Sequence, residues 1–233
     1  MRFAALALAL LAAPAFAQDG PLRPGDLDLS DLQPYTFEFD VYLTAPMQQK
    51  FGTATETFTI DGNTALSTTS VSGMINGQFI EQSDSISVEW PTFAPVRHVT
   101  VANGSVESYD FSPDAVSGVT RSGGAVDATF EAPVFGPGTA DVVARTMMLE
   151  EGATAQFAAF DDDSPDTPAT VRLTTTGQQE VLGRTAWIIT ADDGGDVTTY
   201  AIDAASGETL RVAFSPQPGV VIELRRSDLE TDE

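Results

Sequence analysis

Apolar and polar residues alternate along most of this chain from Tyr35 onward. In the first such segment Phe37 and Phe39 fall on one face, whereas Glu38 and Asp40 fall on the other. An extended strand points successive side chains to opposite faces, so a period of two predicts a strand with one buried face.

The alternation recurs about a dozen times, and turn-forming residues separate the segments. Further strands are predicted at 54–60, 65–72, 79–90, 96–101, 106–111, 116–120, 126–131, 153–160, 171–175, 184–191, 197–203, 208–214 and 220–226. Short turns such as Asn103-Gly104 join neighbours, and we expect another turn at Gly177-Gln178. Short connections make neighbouring strands antiparallel.

One segment breaks this alternation. After Gly136-Pro137-Gly138, residues 139–151 carry apolar side chains at helical spacing, and Gly152 follows as a stop signal. We expect this helix to be short, because the acids Glu150 and Glu151 at its end oppose the helix dipole. The sequence therefore predicts an all-β, mainly antiparallel fold with one short helix: a curved sheet, an open barrel or a sandwich.

The two ends of the chain differ from the strand region. Arg2, an apolar run over 3–16 and a small-residue site ending at Ala17 are typical of a secretory signal peptide cleaved after Ala17. We expect a flexible leader over 18–34, a single β domain over 35–227 and an acidic tail over 228–233. The mature protein is thus expected in the periplasm or outside the cell. No later apolar run approaches the roughly 20 residues of a spanning helix.

Charge and cysteine content narrow the possible partners. The chain carries 34 acidic and 11 basic residues, a net charge of -23, and Lys50 is the only lysine. Such a chain repels nucleic acid and anionic membranes. Adaptation to salt and codon bias both remain open as causes of this composition. Cysteine is absent, which excludes disulfides, thiolate metal sites and an acylated lipobox cysteine.

No catalytic or metal-binding constellation emerges from the sequence. The only histidine, His98, falls opposite Val99 and Val101 in its strand, and we expect it at the surface or rim. Asp161, Asp163 and Asp166 could bind calcium weakly, but the stretch lacks the EF-hand glycine and terminal acid, so a solvated loop is predicted. We therefore expect no enzymatic activity, no catalytic residues, no cofactor and no metal.

Short motifs in the second half carry a family resemblance. The motifs are Met148-Leu149-Glu150-Glu151-Gly152, Phe160-Asp161, Glu180-Val181-Leu182-Gly183-Arg184, Tyr200-Ala201-Ile202-Asp203 and Ser206-Gly207-Glu208-Thr209-Leu210-Arg211. The chain resembles the DUF3108 family of exported bacterial proteins over roughly residues 35–226. The aromatic-x-Ile-Asp motif is also similar to that of the LolA/LolB-like half-barrels that sort lipoproteins. The resemblance implies a curved antiparallel sheet around an apolar concavity, without catalysis, and it supplies no active-site residues.

An apolar ligand is the sharper functional hypothesis. A curved sheet must fill its concave face with side chains, with the helix or with a guest such as a lipid or acyl chain. The candidate ligand-binding residues are Phe37, Phe39, Phe58, Phe79, Met147, Trp187 and Tyr200. The alternatives are an envelope structural or protein-interaction domain with a filled core and, third, an extracellular hydrolase.

Overall fold

Fourteen antiparallel strands form a single sheet in the part of the chain that the structure describes. The structure is a computed structural model that describes residues 20–75, 77–162 and 164–229. The expected signal peptide, Asn76, Asp163 and most of the acidic tail lie outside the described residues. The predicted all-β fold with one short helix is confirmed, and the sheet is open rather than closed into a barrel.

The sheet consists of two arms that meet at its centre. The first arm contains β1 Tyr35–Ala45, β2 Gln49–Asp61, β3 Thr64–Ile75, β4 Gln78–Glu89, β5 Ala94–Ala102, β6 Ser105–Ser112, β7 Ala115–Val119 and β8 Ala125–Thr129. The second arm contains β9 Thr154–Ala159, β10 Ala169–Val181, β11 Arg184–Asp192, β12 Val197–Asp203, β13 Thr209–Gln217 and β14 Val220–Arg226. Strands β1 and β14 pair with each other, so each arm runs outward from the centre to an edge, at β8 and at β9.

The segment between the arms occupies the gap between these two edges. The Phe135 N–H donates to the Ala158 carbonyl at 2.9 Å, and the Phe160 N–H donates to the Phe135 carbonyl at 2.8 Å. The ring of Phe160 also lies 4.8 Å from that of Tyr109 on β6. The sheet therefore curves far enough to bring its second arm against its first without pairing β8 with β9.

One turn was expected in the wrong place. Instead β10 has a bulge here: Thr176 has no partner on β11, Gly177 follows with a φ of +135°, and Gln178 continues the strand. The hairpin closes instead at Leu182-Gly183, where φ is +50° and +73°. Two consecutive positive φ values match the twist of the flanking strands, and the same geometry confirms the expected turn at Asn103-Gly104.

The helix is shorter than the sequence predicted. Helix α1 spans Thr139–Thr146, and Met147 is already extended. The Thr146 hydroxyl donates to the Val142 carbonyl at 2.8 Å, a backbone contact that competes with continued helix. Met147 and Leu149, whose spacing extended the prediction to residue 151, pack against the main core from a non-helical backbone. At eight residues, α1 is too short to cross a membrane, and the described residues contain no helix that could.

The main core lies between α1 and one face of the sheet, which we call the inner face. Val142 and Val143 of α1 pack there with Phe58 of the first arm and Ile189 of the second. The leader contributes to this core, since Leu22, Leu29 and Leu32 are each no more than 8% exposed. The inner face is thus filled by α1 and the leader, and the opposite side of the sheet is the outer face.

Candidate functional site

A row of polar side chains crosses the inner face of the first arm. Glu56 pairs with Thr69, Thr69 with Asp84, Asp84 with Thr100, and Thr100 with Glu107. Directly opposed residues share one face, so these five residues form a continuous polar row from β2 to β6. Polar groups on the concave side of a curved sheet mark this row as the candidate site.

Facing this row, helix α1 brings two charged residues into the interior. Asp141 accepts a hydrogen bond from the Thr209 hydroxyl at 2.7 Å. One turn later, Arg145 donates to the Gly207 carbonyl at 3.2 Å. Its guanidinium carbon lies 4.3 Å from the centre of the Tyr35 ring, a distance that favours a cation–π contact. Polar contacts as well as apolar packing therefore hold α1 against the sheet.

The same interior contains a second arginine, which is already paired. Arg226 donates to Asp228 at 2.6 and 2.9 Å, and its guanidinium carbon lies 3.9 Å from the centre of the Phe37 ring. Asp228 binds it with both carboxylate oxygens. Arg226 also lowers the pKa of Glu56, but less than burial raises it.

Burial changes the acidity of both interior carboxyls. Burial, reinforced by Asp141, raises the pKa of Glu56 to about 7, although the Tyr35 hydroxyl donates to it at 2.5 Å. Burial also raises the pKa of Asp141, and Arg145 and Thr209 offset only part of this effect. The pKa of Tyr200 is raised by burial and by the neighbouring Asp141 and Glu56. These groups are close enough to influence one another in a poorly solvated space.

Two recesses lie beside the N-terminal end of α1. One, of about 160 Å³, is bordered by Glu56, Asp84, Asp141 and Tyr200. The other, of about 240 Å³, lies towards β9–β12. Both are lined by Tyr200 and by residues 137–139, so the start of α1 separates them.

Most of the residues predicted to bind a ligand lie on the inner face. Phe37, Phe39, Phe58 and Tyr200 are at least nine-tenths buried there. Trp187 is half-buried opposite Ile202, and Met147 packs against the core directly after α1. Their capacity to bind a ligand remains a prediction.

Phe79 does not belong to this group. It pairs with Met74 on β3 and is 62% exposed. Asp84 and Ile86 on the same strand point inward, and the strand has no bulge between Phe79 and Asp84. Phe79 lies five residues before Asp84, so its side chain points to the opposite, outer face. Phe79 was predicted to bind a ligand because it is aromatic, but its side chain lies on the wrong face.

The expectation for His98 was also wrong. His98 is 2% exposed, and its Nε2 atom lies 2.9 Å from Asp84, which also accepts a hydrogen bond from Thr100 at 2.8 Å. His98 does fall opposite Val99 and Val101, as expected, but the valines are the outward residues. In most half-buried strands the apolar residues point to the core and the polar residues to solvent. In this strand the polar residues point inward, so the prediction placed His98 on the wrong face.

The acidic loops show no metal-binding geometry where they are described. Among the described residues, which exclude Asp163, no three histidine, aspartate or glutamate side chains converge as metal ligands. In the 192–196 loop, Asp193 instead accepts backbone hydrogen bonds from Gly195 and Asp196, at 3.0 and 2.8 Å. This loop is the hairpin tip that joins β11 and β12.

The sequence analysis did not predict the interior charges, although one signal of them was present. Glu56 occupies the same strand register as Ala54, Phe58 and Ile60, so an acid stands in an apolar series. No comparable signal was present for Asp141 and Arg145, because a helix of eight residues is too short for its periodicity to show which charged side chains are buried.

The geometry defines a barrel-like, single-sheet antiparallel domain. The chain belongs to the DUF3108 family, described as a protein of unknown function, whose family model matches residues 35–228. The expected family resemblance is thereby confirmed. No curated protein matches the chain.

One solved structure supports the same architecture. A crystal structure of a beta-barrel-like protein of domain of unknown function DUF1849 from Brucella abortus superimposes with a TM-score of 0.58 and is 11% identical. The match covers 86% of this chain and 98% of that one, and it shows the fold alone. A DUF1089 family protein from Pseudomonas aeruginosa, also 11% identical, covers 67% of this chain and 87% of its own with a TM-score of 0.39.

Proposed function

We propose that this protein is exported and acts as a non-enzymatic binding protein, holding an apolar ligand such as an acyl chain on its inner face when α1 moves aside. The observation that carries the proposal is the position of α1. It lies on the inner face, where such a ligand would bind, and the two recesses meet at its first residues.

The recess volumes explain why α1 must move. Ligand pockets generally measure about 300–1,000 Å³. The recesses of about 160 and 240 Å³ both fall below that range. Displacing residues 137–146 would join them and uncover the aromatic side chains beneath. The segment contains Gly138, which has a φ of +75°, and Gly152, with a φ of +82°, lies a few residues beyond its end. Glycine at such positions permits backbone rearrangement.

A cysteine pair tests this movement. The chain has no cysteine, and Asp141 on α1 touches Thr209 on β13 through their 2.7 Å hydrogen bond. We expect the Asp141→Cys/Thr209→Cys variant to bind a fluorescent fatty acid when reduced and to lose that binding when oxidised. Titration of free thiols verifies the bridge, and the unmodified protein should bind under both conditions.

Two results would contradict the proposal. Equal binding by the oxidised and reduced variants would refute displacement of α1. If the unmodified protein gains no probe signal, and native mass spectrometry finds no bound lipid, the acyl-chain ligand is refuted as well.

The second candidate is a protein-interaction domain with a filled core. Exposed apolar side chains on the outer face of the first arm favour it. They are Met74, Phe79, Val101 and Val106. Stoichiometric recovery of one partner protein from an envelope extract, lost on Phe79→Ser, would support this candidate.

Export has its own test. The apolar run over 3–16 and the small residues before Gln18 support cleavage after Ala17. We expect the intact mass of protein recovered from the periplasmic or extracellular fraction to match a chain beginning at Gln18. Recovery of the uncleaved chain from the cytoplasm alone would refute export.

A further inference from the structure

We propose that the recess between α1 and the polar row binds a small primary ammonium compound, with the charged nitrogen among Glu56, Asp141 and Tyr200 and a short apolar chain beside it. This inference concerns the protein with α1 in place. It is therefore independent of the acyl-chain ligand proposed above.

Unused hydrogen-bonding capacity is the first support. Tyr200 is 8% exposed and borders the recess, yet its hydroxyl makes no hydrogen bond within the described residues. The Oδ2 atom of Asp141 is buried and accepts no hydrogen bond. Tyr35 uses only one oxygen of Glu56. Buried polar groups normally have partners. Arg145 Nη1 is also buried without a hydrogen bond and lies 4.0 Å from Asp141 Oδ2, so it can serve that atom alone. The Tyr200 hydroxyl and the second Glu56 oxygen still border the recess with capacity for another donor.

The balance of charge identifies that donor as a cation. Glu56 and Asp141 face Arg145, whose Nη1 atom lies 4.0 Å from Asp141, and the other nearby arginine, Arg226, forms its ion pair with Asp228. When both acids are ionised, one negative charge in the interior has no counterion. A proton can neutralise it, consistent with the raised pKa of both carboxyls, and a bound cation can do the same.

The shape and lining of the recess favour an ammonium over a metal ion. The carboxyls do not converge as metal ligands in the described part of the chain. An ammonium instead presents three donors to separate acceptors. Ile86, Phe93, Val142 and Leu224 line the rest of the recess and suit a few methylene groups. Asp84, with its side chain 36% exposed, leaves a route to solvent.

Protons compete with the cation for the same oxygens. The titratable and charged groups around the recess are Tyr35 on β1, Glu56 on β2, Asp84 on β4 with its partner His98 on β5, Asp141 and Arg145 on α1, Tyr200 on β12 and Arg226 on β14. Raising the pH ionises Glu56 and leaves the arginines charged, so ammonium binding should strengthen between about pH 5 and about pH 8.

Calorimetric titration of the full protein with butylammonium at about pH 8 tests the proposal. Sodium chloride at about 0.5 M, where the Debye length is about 4 Å, suppresses attraction to the acidic surface. We expect one site for butylammonium and no binding of 1-butanol or butyrate. Affinity should fall about tenfold in Glu56→Gln, which retains an acceptor for Tyr35 but loses the charge.

Glu38→Gln is the matched control, because Glu38 is an exposed acid on β1 outside the recess. This variant should bind butylammonium as the unmodified protein does. Circular dichroism confirms that each variant is folded, and Tyr200→Phe provides a second, milder loss of affinity. Equal binding of butanol, equal weakening by Glu38→Gln, or no binding at all by the folded protein would overturn the proposal.

Discussion

The two arms of the sheet share one alternating pattern but build different interiors. Across β10 to β12 the inner face is apolar, with Leu173, Ile189 and Ile202 all fully buried. Across β2 to β6 the corresponding face carries the polar row. The second arm also buries a small apolar cluster around Ala201 and Leu210, outside the main core. The first arm buries apolar clusters of its own, around Phe39 and Tyr109. We infer that the arms differ in their inner faces: the second arm contributes apolar core there, whereas the polar row of the first arm borders the site together with Tyr200 of the second.

The largest effect should come from a cavity in the second arm. Leu173→Ala removes a fully buried side chain next to α1 and should lower the free energy of unfolding by about 3 kcal/mol. Thr69→Ala, in the polar row, should cost less than about 1 kcal/mol, because Thr69 is only half-buried. Urea unfolding measures both values. Similar losses in the two variants would remove the distinction between the arms.

The fold could be predicted because its signal is local. Alternation along each strand depends on neighbouring residues, and short turns fix the antiparallel order. The bulge at Gly177 shows where this reasoning failed, since glycine is also a turn residue and only the pairing with β11 distinguishes the two roles. The pairing of β1 with β14 joins the ends of the domain and has no local signal.

The candidate site was harder to predict because its polarity is inverted. The sequence assigned aromatic residues inward and His98 outward, as in an ordinary half-buried sheet. In β5, however, His98 and Thr100 point inward while Val101 is exposed. Charges on α1, which become buried only on docking against β13 and β1, depend on tertiary contacts that no strand pattern contains.

The next largest effect is a change in pH dependence at Glu56. Its pKa rises from 4.5 to about 7 on folding, so the folded protein holds a proton that the unfolded chain releases between these values. Stability should therefore fall as the pH rises through this window, by an amount on the order of 2 kcal/mol after allowance for partial solvation.

Glu56→Gln should remove that decline. The variant should match the unmodified protein at about pH 4 and exceed its stability at about pH 8, measured by urea unfolding across the range. Glu38→Gln, on the exposed face, should retain the original slope. An unchanged slope in Glu56→Gln would show that other groups cause the pH dependence.

A smaller effect is expected within the polar row. Asp84→Ala leaves His98 and Thr100 without their shared acceptor, and buried groups that lose a partner cost about 1–2 kcal/mol. Asp110→Ala is the control, because Asp110 pairs with Arg97 at 3.3 Å while both side chains are more than half exposed. Such a surface pair contributes less than about 1 kcal/mol. If Asp110→Ala destabilises the protein as much as Asp84→Ala, the polar row is not a structural unit.

The smallest effect should be at Phe79. Because its side chain is 62% exposed on the outer face, Phe79→Ser should change the free energy of unfolding by less than about 0.5 kcal/mol. It should also leave binding of a fluorescent fatty acid unchanged, whereas Trp187→Phe, on the inner face, should alter the probe's affinity or emission. Loss of probe binding in Phe79→Ser would place the apolar ligand on the outer face, where the exposed Met74 and Val106 also lie. The site would then be a surface of the first arm, and α1 would be a fixed part of the core rather than the element that moves.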